Sequence, residues 1–241
     1  MTNPISLTKR QHYHMRAVLK NFSVNTQLSV SYKDGEQALL DYDDKEFYGF
    51  MAWSDETETG LSWGIERKAQ GQIRHILNTK TVSNHTDISN YHLLWRLRHL
   101  YALRPEPSMK VFDDFGFGNI EEVKDWANRN HKIYINGDGT VDSIFATTLR
   151  IKESLEQHKD VYGAIYWQLG IAEEGGLISA DSYKSRLIFP LSPNYVLVGK
   201  REKLKAWAMT SEEIRRINNI SNEECMNFTF ARPGSPFEPP A

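Results

Sequence analysis

The stretch from Leu177 to Arg232 combines strand-like runs, turn residues and helix caps more tightly than any other part of the chain. Val161–Ile171 leads into it as a mostly apolar strand. Glu173-Glu174-Gly175-Gly176 predicts a hairpin turn, with Leu177-Ile178 as the return. Asp181 then falls in a loop at a strand end, where site residues are often carried. Arg186–Phe189 and Tyr195–Val198 read as two further strands, punctuated by Pro190 and Pro193. Thr210-x-x-Glu213 is a capping box for a helix that turns Ile214 and Ile217 inward, and Ser221-x-x-Glu224 repeats the device for a second, short helix. Phe228-Thr229-Phe230 alternates as a last strand.

Upstream, Leu28, Val30 and Tyr32 alternate with polar residues, and Asp34-Gly35 predicts a hairpin returning over Ala38–Tyr42. Phe47, Tyr48, Phe50 and Trp53 are expected to cover the core, with Asp55, Glu56 and Glu58 in a solvated loop. Trp63–Asn78 reads as a helix facing inward through Ile65, Ala69, Ile73, Ile76 and Leu77, with Glu66 near its start. After the polar break TKTVSNHTD, a helix over Ser89–Leu103 buries Leu93, Leu94, Leu97, Leu100 and Tyr101. Its basic residues Arg96, Arg98, His99 and Arg104 are expected on a solvated face, and Arg104-Pro105 ends it. Asn119 is the expected cap of a short helix with Ile120, Val123, Trp126 and Ala127 on its apolar side. Ile133 and Ile135 alternate as a strand before the Gly137-Asp138-Gly139 turn, which lacks the full ligand series of a calcium loop. A further helix runs from Asp142 or Ser143 to about residue 158. The fold class that follows is α+β: a single domain over residues 1–232, mainly antiparallel sheet packed by several helices, with residues 233–241 as a proline-rich tail.

Near the N-terminus, residues 1–9 form a polar tail, and RQHYHMRAVLKNFS crowds apolar residues near helical spacing. His12 and His14 flank Tyr13; as a strand this segment would put both imidazoles on one face, able to hold a metal. The apolar fraction of 40% supports a real core and argues against disorder. A formal net charge of -2 disfavours a polybasic coat for nucleic acid or membrane, while leaving room for a local basic site. The lone Cys225 permits no intramolecular disulfide and excludes a cysteine-rich zinc site. No apolar run approaches the roughly 18 residues of a membrane span, so a cytoplasmic protein with no membrane partner is expected.

Several short motifs occur in a fixed order. They are Gln11-His12-Tyr13 followed by Leu19 and Phe22, Ile65-Glu66, Arg104-Pro105, Asp181, Phe189–Ser192 and Ile217-Asn218. In this order the chain resembles the bacterial domain-of-unknown-function family numbered 4238. That family opens on His-Tyr-x-Pro-x-x-x-Leu-x-x-Phe and carries a later Ser-Asp-x-Pro. Here Met15 stands for the first proline, while Ala180 and Tyr183 stand for the serine and proline around Asp181. The resemblance implies a bacterial or mobile-element protein with a role in phage–host conflict.

Two functions fit these residues. The first is a non-catalytic binding or regulatory factor of a phage or mobile element, which takes a protein partner and needs no cofactor. The alternative is a metal-dependent hydrolase or nuclease acting on nucleic acid. In that reading His12, Glu66 and Asp181 form the catalytic set around a divalent cation, and Arg16, Lys20, Arg104 and Arg186 bind substrate phosphate. Arg186 would also serve as a charge partner for Asp181. No nucleotide-binding glycine motif, metalloprotease helix or nucleophile elbow is present.

Overall fold

The computed structural model describes residues 10–50, 52–54, 57, 63–113, 120–130 and 132–235. The expected tail over 1–9, the acidic Asp55, Glu56 and Glu58, the cap at Asn119 and the chain from 236 onward lie outside the described residues. The chain is α+β. It opens with β1 (Arg10–His12), α1 (Arg16–Phe22), β2 (Gln27–Tyr32), β3 (Gln37–Asp41), a 3-10 turn and β4 (Tyr48–Phe50). The middle holds α2 (Trp63–Thr79), α3 (His85–Leu103), β5 (Met109–Lys110), α4 (Glu121–Arg129), β6 (Thr140–Val141), α5 (Ser143–Gln157) and α6 (Lys159–Gly163). The last part runs through β7 (Tyr166–Ile171), β8 (Ser179–Ala180), β9 (Ile188–Ser192), β10 (Tyr195–Lys200), β11 (Trp207–Ala208), α7 (Ser211–Glu224) and β12 (Phe228–Ala231).

Among the described residues two four-stranded sheets carry the fold, ordered β11-β7-β10-β9 and β3-β2-β12-β8. All of their pairings are antiparallel except β11 on β7. The β2–β3 hairpin forms as its Asp34-Gly35 signal predicts, with Gly35 at φ +92. Pro190 is tolerated inside β9 because that strand lies at a sheet edge, where a missing N–H leaves no ladder bond unmade.

The Glu173–Gly176 turn does not make a hairpin. The antiparallel partner of β7 is β10, and after the turn Leu177-Ile178 leads to β8, which pairs with β12 in the other sheet. The turn therefore moves the chain between sheets. Asn218 of α7 fixes the crossing segment: its Oδ1 accepts from Ile178 N–H and its Nδ2 donates to the Gly176 carbonyl. Val161 and its neighbours belong to α6 instead of extending β7.

Helix α3 lies at the centre. It packs on α2, α5, α6, β4 and β7, and it is buried almost all round. It begins four residues earlier than its leucine stripe suggests, because Asn84 caps it by accepting from Asp87 N–H. Ile88, Tyr91 and Trp95 bury a second side, and Arg98 and His99 continue that side inward instead of facing solvent. Of the expected leucine stripe, Leu100 is half exposed. A helix without a polar face belongs in a core.

Other expectations change with tertiary context. Phe50 is 68% exposed, so it does not cover the core, whereas Phe47 and Trp53 do. Ser221-x-x-Glu224 starts no second helix; α7 runs unbroken to Glu224, and Ser221 bonds Tyr183 from inside it. Ile133–Ile135 forms no strand beyond a bridge from Ile135 to Val141. Gly139, at φ +79, sits so close to the Phe112 carbonyl that a Cβ would lie 2.1 Å from that oxygen. The aspartates beside this turn are bonded internally: Asp138 accepts from Thr140, and Asp142 from Asn136 and Lys124.

Candidate functional site

The site grows from one turn of α3. Arg98 and His99 are each 1% exposed, and burying such groups is costly unless they are paired. The Arg98 guanidinium donates to Glu66 Oε1 at 2.5 Å and to the His12 carbonyl at 3.1 Å, and it lies over the Trp53 ring. On the neighbouring residue, His99 Nε2 stands 3.1 Å from Asp181 Oδ2. That separation is a close electrostatic contact. Its angles lie outside hydrogen-bond geometry, so neither His99 nitrogen has a hydrogen-bond partner among the described residues.

Asp181 is fully buried at the end of β8. Its Oδ1 accepts from Ser182 N–H and Met226 N–H, each at 2.8 Å, and its Oδ2 accepts from Asn227 N–H at 2.8 Å. Its backbone carbonyl accepts from the Trp95 indole. One carboxylate thus joins α3, β8 and the loop between α7 and β12.

The three expected catalytic residues therefore gather around Arg98-His99, but each by a different atom. Glu66 offers its carboxylate to Arg98, His12 offers its backbone carbonyl to Arg98, and Asp181 faces His99. The His12 imidazole turns to Asp43, 3.7 Å away, and toward the Tyr48 ring. His14 does not share its face. It lies in a bend after β1, fully buried, with its ring centroid 4.3 Å from that of Trp95. Burial, reinforced by His99 and His92, lowers the His14 pKa to about 3, so it is a neutral core group. Tyr13 sets its ring edgewise on His99 at 4.5 Å, and burial with nearby Asp181 pushes its phenol well above the ordinary range.

The expected phosphate-binding cations do not converge on this turn. Arg16 pairs with Asp43 and lies over Tyr42, as does Lys20. Arg104 is exposed at the end of α3. Arg186 is not the charge partner of Asp181; that place is taken by His99. Arg186 instead lines a cavity of about 490 Å³ between β9, β10 and α7. Among the described residues no group of three His, Cys, Asp or Glu side chains could hold a metal ion.

Sequence reasoning missed Arg98 and His99. A signal existed: Ile88, Tyr91 and Trp95 recur at helical spacing, and Arg98 and His99 occupy the next places on that stripe. His99 also borders a cavity of about 350 Å³ between α3, α6 and the segment after β8. Leu93, Leu97, Leu100 and Tyr162 wall it, and Arg96, His158 and Lys184 stand around it. Among the described residues, no helix is long and apolar enough to cross a membrane. Comparison with family models, curated proteins and solved structures finds no match to this chain.

Proposed function

We propose that the protein is a non-catalytic binding or regulatory factor of a phage or mobile element, acting in the cytoplasm in phage–host conflict through a protein partner. The same reading takes the chain as related to the family numbered 4238. The observation that carries it is the surface around α4. Ile120, Val123 and Trp126 recur at helical spacing and are 55%, 43% and 55% exposed. Phe112 and Ile133, from the flanking segments, are 54% and 39% exposed. Single exposed apolar residues are ordinary, but five within one short region are the composition of a contact surface. The inward side of α4 is supplied by Ala127, so the outer residues are not needed to seat the helix.

Support also comes from the inner site. Glu66 and Asp181 are committed to internal partners, which suits structural roles better than cation binding. The test is co-purification of the tagged chain from bacterial cells during phage challenge, beside a Val123→Glu/Trp126→Glu variant. The wild type is expected to retain a partner in fixed ratio. The variant is expected to lose it and to lose its effect on phage plating, with an unchanged thermal melt. A folded variant that keeps full effect on plating defeats the proposal.

A further inference from the structure

The cavity beside His99 has a chemistry that the protein-partner reading leaves unused. Its inner wall is fixed, because Asp181 ties Ser182 and Met226 by their N–H groups, and both residues line the cavity. Arg96 fastens the opposite side, donating to the Tyr162 hydroxyl at 2.7 Å and to the Lys184 carbonyl. A space held by such bonds is preformed, and about 350 Å³ suits a small ligand.

Its polarity runs in one direction. At the buried end lies the His99 imidazole. Its Nε2 stands 3.1 Å from the Asp181 carboxylate. The residue is 1% exposed, and its Nδ1 has no hydrogen-bond partner among the described residues. Around it the walls are leucine, tyrosine and methionine. At the solvent end stand exposed Lys184 and His158, with partly exposed Arg96. Among the described residues no acidic side chain lines the cavity. Lys33 lies beside Lys184 and pushes its ammonium below the ordinary lysine value.

We propose that this cavity binds a small organic anion with an apolar body, one hydroxyl at its inner end for the His99 imidazole, and one carboxylate or phosphate at its outer end for Lys184 and Arg96. This goes beyond the protein-partner reading and shares no residue with the α4 surface.

The probe is 4-hydroxyphenylacetate, titrated into the full chain by calorimetry and by nitrogen-15 spectra of the histidine rings. Phenylacetate lacks the inner hydroxyl, and 2-(4-hydroxyphenyl)ethanol lacks the anion. Each is expected to bind about tenfold more weakly, since one net hydrogen bond or charge contact is worth roughly one decade in affinity. The first probe is expected to shift the His99 ring signals. Lys184→Glu changes an exposed residue, and it is expected to weaken 4-hydroxyphenylacetate about tenfold while leaving the alcohol unchanged. His99→Phe is expected to make the hydroxylated and unhydroxylated acids equal. Absence of binding at millimolar probe, equal binding of all three probes, or indifference to Lys184→Glu overturns the proposal. The Val123→Glu/Trp126→Glu variant is expected to bind the probe like wild type, so failure here and failure of the α4 reading are told apart.

Discussion

Asp181 shows how much of the molecule can hang on one side chain. Three backbone N–H groups and an imidazole depend on its two oxygens. Truncation to alanine leaves those donors buried without an acceptor. Asp181→Ala is expected to cost about 3 kcal/mol or more, since three N–H groups lose an acceptor at about 1–3 kcal/mol each. Asp181→Asn keeps an acceptor for two of the N–H groups and is expected to lose less. Urea unfolding with both variants measures this; an alanine variant within about 1 kcal/mol of wild type contradicts the hub described above. The importance of Asp181 was legible in the sequence from its place after an apolar strand. Its partner was not, because a charged pair on a helix reads as a solvated face until the rest of the core is known. Several of the ordered motifs are internal fasteners. Gln11 accepts from Ala52 and Trp53 N–H and donates to the Trp53 carbonyl, Asn21 donates to the Leu191 carbonyl, and Asn218 holds the Gly176–Ile178 crossing.

At the scale of elements, the two capping-box spacings of α7 separate local from tertiary causes. Thr210 and Glu213 make both reciprocal bonds at the helix start. Thr210→Ala is therefore expected to cost about 1 kcal/mol in urea unfolding. Ser221 has the same spacing to Glu224 but lies inside the helix. There it donates to the Ile217 carbonyl and meets the Tyr183 hydroxyl, while Glu224 accepts from Ser185 and Arg186 N–H. Spacing alone could not tell these two apart, since the second pair has partners far along the chain. Elements with local signals were readable: the β2–β3 hairpin from Asp34-Gly35, α2 from its apolar stripe, and the end of α3 from Pro105. The exchange of strands between sheets was not readable, because a two-glycine turn fits a hairpin and a crossing equally well.

For the whole molecule, acid is the condition that most tests this core. His14 and His92 are fully buried, and burial lowers each pKa to about 3 from about 6.5; His99 adds to the effect for His14 and Arg96 for His92. The folded state therefore binds fewer protons than the unfolded chain between those values. Stability is complete above about pH 6.5 and falls as pH drops toward 3, with each histidine contributing up to about 1.4 kcal/mol per pH unit. His92 packs among Trp95, Trp167 and Phe189. His92→Phe keeps an aromatic ring there and is expected to flatten the stability slope between pH 4 and 6 by about one proton. Denaturant titrations at several pH values read this directly, and an unchanged slope would contradict a neutral buried His92.

The order β3-β2-β12-β8 has a consequence for how the chain can be made. β12 lies between β2 and β8, so the second sheet has no middle until residue 231 has left the ribosome. Two of the three N–H groups that hold Asp181, on Met226 and Asn227, arrive in the same late segment. Every nascent chain thus waits, with β2 and β8 unjoined and the Asp181 carboxylate incompletely paired, for the Met226–Ala231 stretch to close both at once.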